Sequence, residues 1–155
     1  MEYFIFKHPI PPLILAIILA LSMKAIAYYF FYLTLPSDFH FWFAILFSIL
    51  GLIPLIGGIY LVIMSRTTVD PTAPENSSTL VTKGIYRYTR NPMYLGFLLC
   101  LIGWSLWLEN ILTISGAMIF YWYINRHQIP FEEKALAEKF TAKYQQYCRN
   151  TRRWL

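Results

Sequence analysis

The chain has 155 residues, of which 57% are apolar, 19% aromatic and only 14% charged, against about 45–50% apolar and about 25% charged in a soluble domain. That excess points to a chain that sits in lipid, and the length allows a single domain and excludes a Rossmann domain joined to a substrate domain. The net charge of +5 does not indicate nucleic acid, because the basic residues flank apolar runs and form no basic domain.

A spanning helix needs roughly 20 predominantly apolar residues. The first such run covers about residues 11–35, broken only by Ser22 and Lys24. It is too long for a signal-peptide core and lacks a small-residue cleavage site, so it reads as an uncleaved span. Residues 39–64 form the second, with Gly51, Pro54, Gly57 and Gly58 in its middle, residues that a packed membrane helix tolerates. Residues 92–108 make the third. The fourth starts near 111 and runs to about 124, or as far as 129, and the short Glu109-Asn110 link predicts an antiparallel hairpin of the last two.

Lys7 precedes the first run; Arg66, Lys83, Arg87 and Arg90 lie between the second and third; seven more Lys and Arg follow the fourth. Only Lys24 falls inside a span. The positive-inside rule therefore predicts both termini and the middle loop in the cytoplasm. After Pro130 the chain becomes polar. Leu136, Phe140, Tyr144 and Tyr147 recur at helical spacing on a charged helix, about residues 130–149, predicted to lie on the cytoplasmic face. The fold class is thus all-α: one polytopic membrane domain, residues 1–155, with four transmembrane helices and a C-terminal amphipathic helix.

Chemistry has few places to reside. No glycine-rich phosphate loop follows a strand. His8, His40 and His127 are scattered, and Cys100 and Cys148 lie in different segments, so neither a metal site nor a disulfide framework is expected. A polar and aromatic cluster remains at the cytoplasmic ends of the last two spans: Tyr86, Arg87, Arg90, Asn91, Tyr94, Arg126, His127, Gln128, Glu132, Glu133 and Arg153. In a hairpin the start of one span meets the end of the next, which places Asn91 and Tyr94 near Arg126 and Gln128, with the tail helix closing the site from below.

The stretch Lys83-Gly84-Ile85-Tyr86-Arg87-Tyr88-Thr89-Arg90-Asn91-Pro92-Met93-Tyr94-Leu95-Gly96 resembles the Gly-x-Tyr…Arg-His/Asn-Pro-x-Tyr-x-Gly signature of isoprenylcysteine carboxyl methyltransferase-like membrane enzymes, which are related to phospholipid N-methyltransferases. The tail, from Glu132-Glu133 through Leu136, Phe140, Tyr144 and Tyr147 to Arg152-Arg153-Trp154-Leu155, resembles their second signature. Together they cover about half the chain. The resemblance implies an S-adenosyl-L-methionine-dependent methyltransferase whose cofactor contacts fall on Ser78, Thr79, Leu80, Val81, Tyr86, Asn91, Pro92, Met93 and Tyr94. It implies a cofactor-side or catalytic carboxylate at Glu132. Carboxyl O-methylation of an isoprenylcysteine-like acceptor is the expected reaction; a phospholipid amine, a thiol, an NADPH-dependent membrane reductase and a non-enzymatic scaffold are the alternatives.

Two departures bear on mechanism. The eukaryotic enzymes carry His where this chain has Asn91. Their substrate-linked Arg, four residues before the matched Glu, aligns with Gln128, leaving Arg126 to replace it as a catalytic or substrate-binding guanidinium, with Arg153 as a further substrate candidate. Thr141 also stands where the family usually has Gly. Blander roles compete at each position: Tyr86, Tyr88 and Tyr94 as interfacial aromatics, Arg87 as an orientation charge, Glu133 as a helix N-terminal charge, and Arg152 and Arg153 as lipid-headgroup contacts. Lys24, costly in lipid, has no link to the motif.

Overall fold

A computed structural model describes residues 9–31, 39–68, 70 and 73–155. Lys7, His8, Pro71 and the expected end of the first span beyond Phe31 lie outside them. Among the described residues all regular structure is helical. Helix α1 runs Pro12–Tyr29, α2 Phe39–Met64, α3 Pro92–Trp107, α4 Ile114–Tyr123 and α5 Ile129–Asn150. A 3₁₀ turn, Ile111–Thr113, leads into α4, and a π-helical turn, Ile124–Gln128, joins α4 to α5.

Among the described residues, two helices are long and apolar enough to cross a membrane, Pro12–Tyr29 and His40–Met64. At a rise of about 1.5 Å per residue, the 16 residues of α3 fall short of a hydrocarbon core of about 30 Å. The fourth apolar run is not one α-helix either, since its last third winds as a π turn. Leu13, Ile14, Ile17, Ile18 and Leu21 face outward on α1, as do Leu52, Ile53, Ile56, Tyr60 and Ile63 on α2. Apolar exposure on this scale marks a surface made for a membrane or a partner.

Helices α2 and α3 pack closely because the side chains between them are small. A Cβ added at Gly96 would lie 2.6 Å from the Gly51 carbonyl, and one at Gly51 would lie 2.7 Å from Cys100 Sγ. Ser48 takes the same role opposite Gly103. The shared core gathers Leu15, Leu19 and Met23 of α1, Tyr94 and Leu101 of α3, and Ala117, Phe120, Ile124 and Ile129 from the chain that follows. The Glu109-Asn110 link does more than turn: Asn110, 1% exposed, accepts from Leu112 N at 3.0 Å and donates to the Phe30 carbonyl at 2.7 Å. It ties the end of α1 to the α3–α4 connection.

Helix α5 departs from one continuous amphipathic rod. Thr141 sits at φ 40°, ψ −111°, a region suited to glycine and strained for a β-branched residue. The kink divides the expected apolar face into a half-buried part, Leu136 and Phe140, and a buried part, Tyr144 and Tyr147.

Candidate functional site

The site forms where the loop after α2, the start of α3 and helix α5 converge. Gly84, at φ 58°, opens a short 3₁₀ turn, Gly84–Arg87, and a Cβ there would meet Leu61 at 2.7 Å. That turn directs Tyr86 into the protein, where it is 8% exposed. Pro92 then starts α3, its missing N–H harmless in a first turn, and Tyr94 follows at 4% exposure.

Tyr94 donates its hydroxyl to Glu132 Oε1, and Gln128 Nε2 donates to the same oxygen at 2.6 Å. The Glu132 residue as a whole is half-buried, but both donors are buried, so the carboxyl group is held away from water. Burial pushes its pKa up to about 7; the bonds from Tyr94 and Gln128 oppose that rise and the neighbouring Glu133 adds to it. Tyr147 donates to the Tyr86 carbonyl at 2.7 Å, closing α5 onto the 3₁₀ turn. Burial, with smaller contributions from Tyr147 and Glu132, raises the Tyr86 phenol, which stays neutral.

These groups wall a cavity of about 120 Å³ lined by Thr79, Leu80, Val81, Tyr86, Asn91, Met93, Tyr94 and Glu132, together with Thr67, Asp70, Tyr144 and Tyr147. Eight of the ten residues matched to cofactor contacts therefore share one cavity. Ser78 and Pro92 stand outside its lining: Ser78 Oγ donates to the Arg66 carbonyl at 2.7 Å, and buried Pro92 packs near Gly58. One wall is the segment 73–82, tied down by that bond, by Thr79 N to Thr67 Oγ1 at 3.4 Å, and by Lys139 Nζ to the Glu75 carbonyl at 2.6 Å.

A second cluster adjoins it. Glu133 receives Arg90 Nη2 at 2.9 Å and Arg153 Nη2 at 2.5 Å. Arg90 also donates to the carbonyls of Thr151 at 2.7 Å and Cys148 at 3.2 Å, and its backbone N–H to that of Arg152 at 2.9 Å. Arg153 reaches Asn125 Oδ1 at 3.2 Å. Asn91 spends its amide on the Arg153 carbonyl at 2.8 Å and so does not cap α3.

Glu133, expected as a helix N-terminal charge, and Arg153, expected as a substrate or lipid-headgroup contact, are joined with Arg90 into a clamp holding the C-terminus against the start of α3. The motif contained Arg90 without disclosing this role, because its partners lie about 43 and 60 residues away. Gln128 is fully buried and meets Tyr94 at Glu132 Oε1, so the start of α3 lies beside the end of the fourth apolar run. Arg126 is exposed and does not line this cavity. Aspartate 70 and Thr67, from the loop after α2, had no signal in the sequence.

Residues 39–143 match the phospholipid methyltransferase family. The chain belongs to that family. The matched span holds α2, α3 and all of the cavity lining except Tyr144 and Tyr147. The chain is 48% identical over 63 residues, 41% of its length, to the whole of an uncharacterized protein from Haemophilus influenzae. It is 36% identical over 83 residues, 54% of this chain, to 35% of protein-S-isoprenylcysteine O-methyltransferase from Saccharomyces cerevisiae. Over 74 residues, 48% of this chain, it is 32% identical to 38% of protein-S-isoprenylcysteine O-methyltransferase B from Arabidopsis thaliana. The chain thus spans little more than a third of the length of the two named methyltransferases. No solved structure matches it.

Proposed function

We propose that this protein is an S-adenosyl-L-methionine-dependent methyltransferase acting on a lipophilic acceptor at the membrane face. The carrying observation is the convergence of the motif residues on one cavity around the buried Tyr94–Glu132–Gln128 cluster. The lining fits a cationic, partly aromatic ligand. Glu132, which lines the cavity, accepts from Tyr94 and Gln128 and from no guanidinium, while Glu133 shares Arg90 and Arg153. Tyr86 and Tyr94 can add about 0.5–2 kcal/mol to a cation through their ring faces. At about 120 Å³ the cavity is smaller than the roughly 300–1,000 Å³ of a small-molecule site. A ligand of that size therefore requires the cavity to widen.

When bound, S-adenosyl-L-methionine supplies an electrophilic methyl group on a sulfonium. The chain's own task is to orient the two reactants and exclude water. Tyr86, Met93 and Tyr94 wall the site, Asn91 and Thr79 offer polar contacts, and Glu132 holds an amino group or takes a proton. The reading includes four membrane crossings with both termini in the cytoplasm; terminal reporter tags read from the opposite side would overturn it.

For the acceptor, the names of the relatives support carboxyl O-methylation of an S-prenylcysteine, with exposed Arg126 receiving the carboxylate. The geometry favours a second reading, an amine or thiol acceptor. No guanidinium free of Glu133 lines the cavity among the described residues, and Glu132 is placed to accept the proton that such acceptors release. Calorimetric titration with S-adenosyl-L-methionine and then NADPH tests the cofactor: heat with the second alone indicates a reductase, heat with neither a scaffold. Label transfer to a small S-prenylcysteine or to phosphatidylethanolamine then separates the acceptors, and Arg126→Gln abolishes transfer only in the first case.

A further inference from the structure

Beside the cavity, separated from it by Leu80 and Tyr147, lies a second, open groove of about 590 Å³. Leu80, Thr82 and Arg87 form one side; Lys143, Gln146, Tyr147, Asn150 and Thr151 form the other. Its charge is one-sided: an arginine and a lysine line it and no carboxylate does. Three neighbouring cations outside the groove are engaged elsewhere. Arg90 and Arg153 are both committed to Glu133, and Lys139 to the Glu75 carbonyl. Arg87 and Lys143 are exposed and form no ion pair or hydrogen bond among the described residues. They come from elements far apart in sequence, the 3₁₀ turn Gly84–Arg87 and the second part of α5, beyond the kink at Thr141.

We propose that this groove binds a phosphate oxyanion. A guanidinium offers a forked pair of donors and an ammonium a point charge, while the amides of Gln146 and Asn150 and the hydroxyls of Thr82 and Thr151 add donors from other directions. Several donors converging on one open space match an acceptor with several oxygens better than a planar carboxylate. Membrane-lipid headgroups and free phosphate share this chemistry. An occupant would contact Leu80 and Tyr147, which also wall the cavity. It stands independently of the methyltransferase reading.

The test is calorimetry on the full chain in a neutral maltoside detergent at fixed ionic strength. The probes are dihexanoylphosphatidylglycerol, dihexanoylphosphatidylcholine and inorganic phosphate. Saturable binding of the phosphatidylglycerol or of phosphate is expected, weakened about tenfold by Arg87→Gln and by Lys143→Gln. Lys134→Gln, which removes the same charge from an exposed position outside the groove, should change it less than about twofold. Preference for the phosphatidylglycerol over phosphate and phosphatidylcholine assigns the groove to anionic headgroups, and equal affinity for phosphate assigns it to the free ion; either supports the site. Equal weakening by all three substitutions would show diffuse surface charge and overturn it, as would the absence of saturable binding by either anion. Unchanged unfolding temperatures of the three variants confirm that the comparison concerns binding.

Discussion

Replacing Glu132 with Gln is expected to stabilise the protein above neutral pH while impairing methyl transfer. The carboxyl pKa rises from an ordinary 4.5 to about 7 because its charge is buried. Converted at about 1.36 kcal/mol per pH unit, that rise corresponds to about 3 kcal/mol as an upper bound. The sign follows from proton linkage. Below pH 4.5 both folded and unfolded chains hold the proton, and the group has no effect. Between there and pH 7 only the folded chain holds it, so stability falls as pH rises; above pH 7 the full penalty persists. Glutamine carries no charge at any pH and keeps nearly the same shape, with Tyr94 and Gln128 able to reverse their bonds to it. Against wild type, Glu132→Gln should therefore unfold at a similar temperature at pH 4 and at a temperature roughly 3–8 °C higher at pH 8. Transfer of label from S-adenosyl-L-methionine should fall at least about tenfold, a barrier increase of about 1.4 kcal/mol. Thermal unfolding in detergent at the two pH values, paired with the transfer assay, reads both effects. A variant whose stability tracks wild type across that range would show that the carboxylate is solvated and would refute the buried cluster.

Glu133→Gln should instead destabilise, because it leaves Arg90 and Arg153 without their shared counter-charge; partial exposure of the cluster reduces the expected loss to about 1–3 kcal/mol. A lowered unfolding temperature and faster proteolysis at residues 150–155 are the readouts. Thr141→Gly removes left-handed strain of about 1–3 kcal/mol at an entropic cost of about 0.5–1 kcal/mol, so denaturant unfolding should show a net gain of about 1 kcal/mol, with none for Thr141→Ala. Tyr94→Phe deletes a hydrogen bond that favours the ionised Glu132, so any limb of the activity–pH profile that reports this carboxyl should move to higher pH and cofactor affinity should fall. A profile and an affinity both unchanged would remove Tyr94 from the site.

Helix existence was legible in local pattern. Apolar runs bounded by Pro12, Phe39 and Pro92 became α1, α2 and α3 within a residue or so of their expected starts, because a long apolar segment in lipid must satisfy its own backbone. The motif also identified, without a structure, eight residues that later proved to line one cavity. Two local surprises had a signal of their own: Thr141, where the family carries Gly, is where α5 kinks, and Gly84 occupies the positive φ that its place in the motif requires.

What the sequence could not decide is which charges face one another. Glu132 and Glu133 are adjacent and chemically identical, yet one meets Tyr94 and Gln128 and the other meets two arginines. Their roles diverge because neighbouring helical residues point about 100° apart, and only the packing of α5 against α3 determines what lies in each direction. The same holds for Arg87 and Arg90, three residues apart in the motif, one open to a groove and one locked to the C-terminus. Sequence determined that this protein is a helical membrane-type chain and where its chemistry clusters. Tertiary structure alone sorted the clustered charges into a cavity, a clamp and a groove, because those assignments depend on contacts between segments about 40–60 residues apart, whose geometry no local pattern encodes.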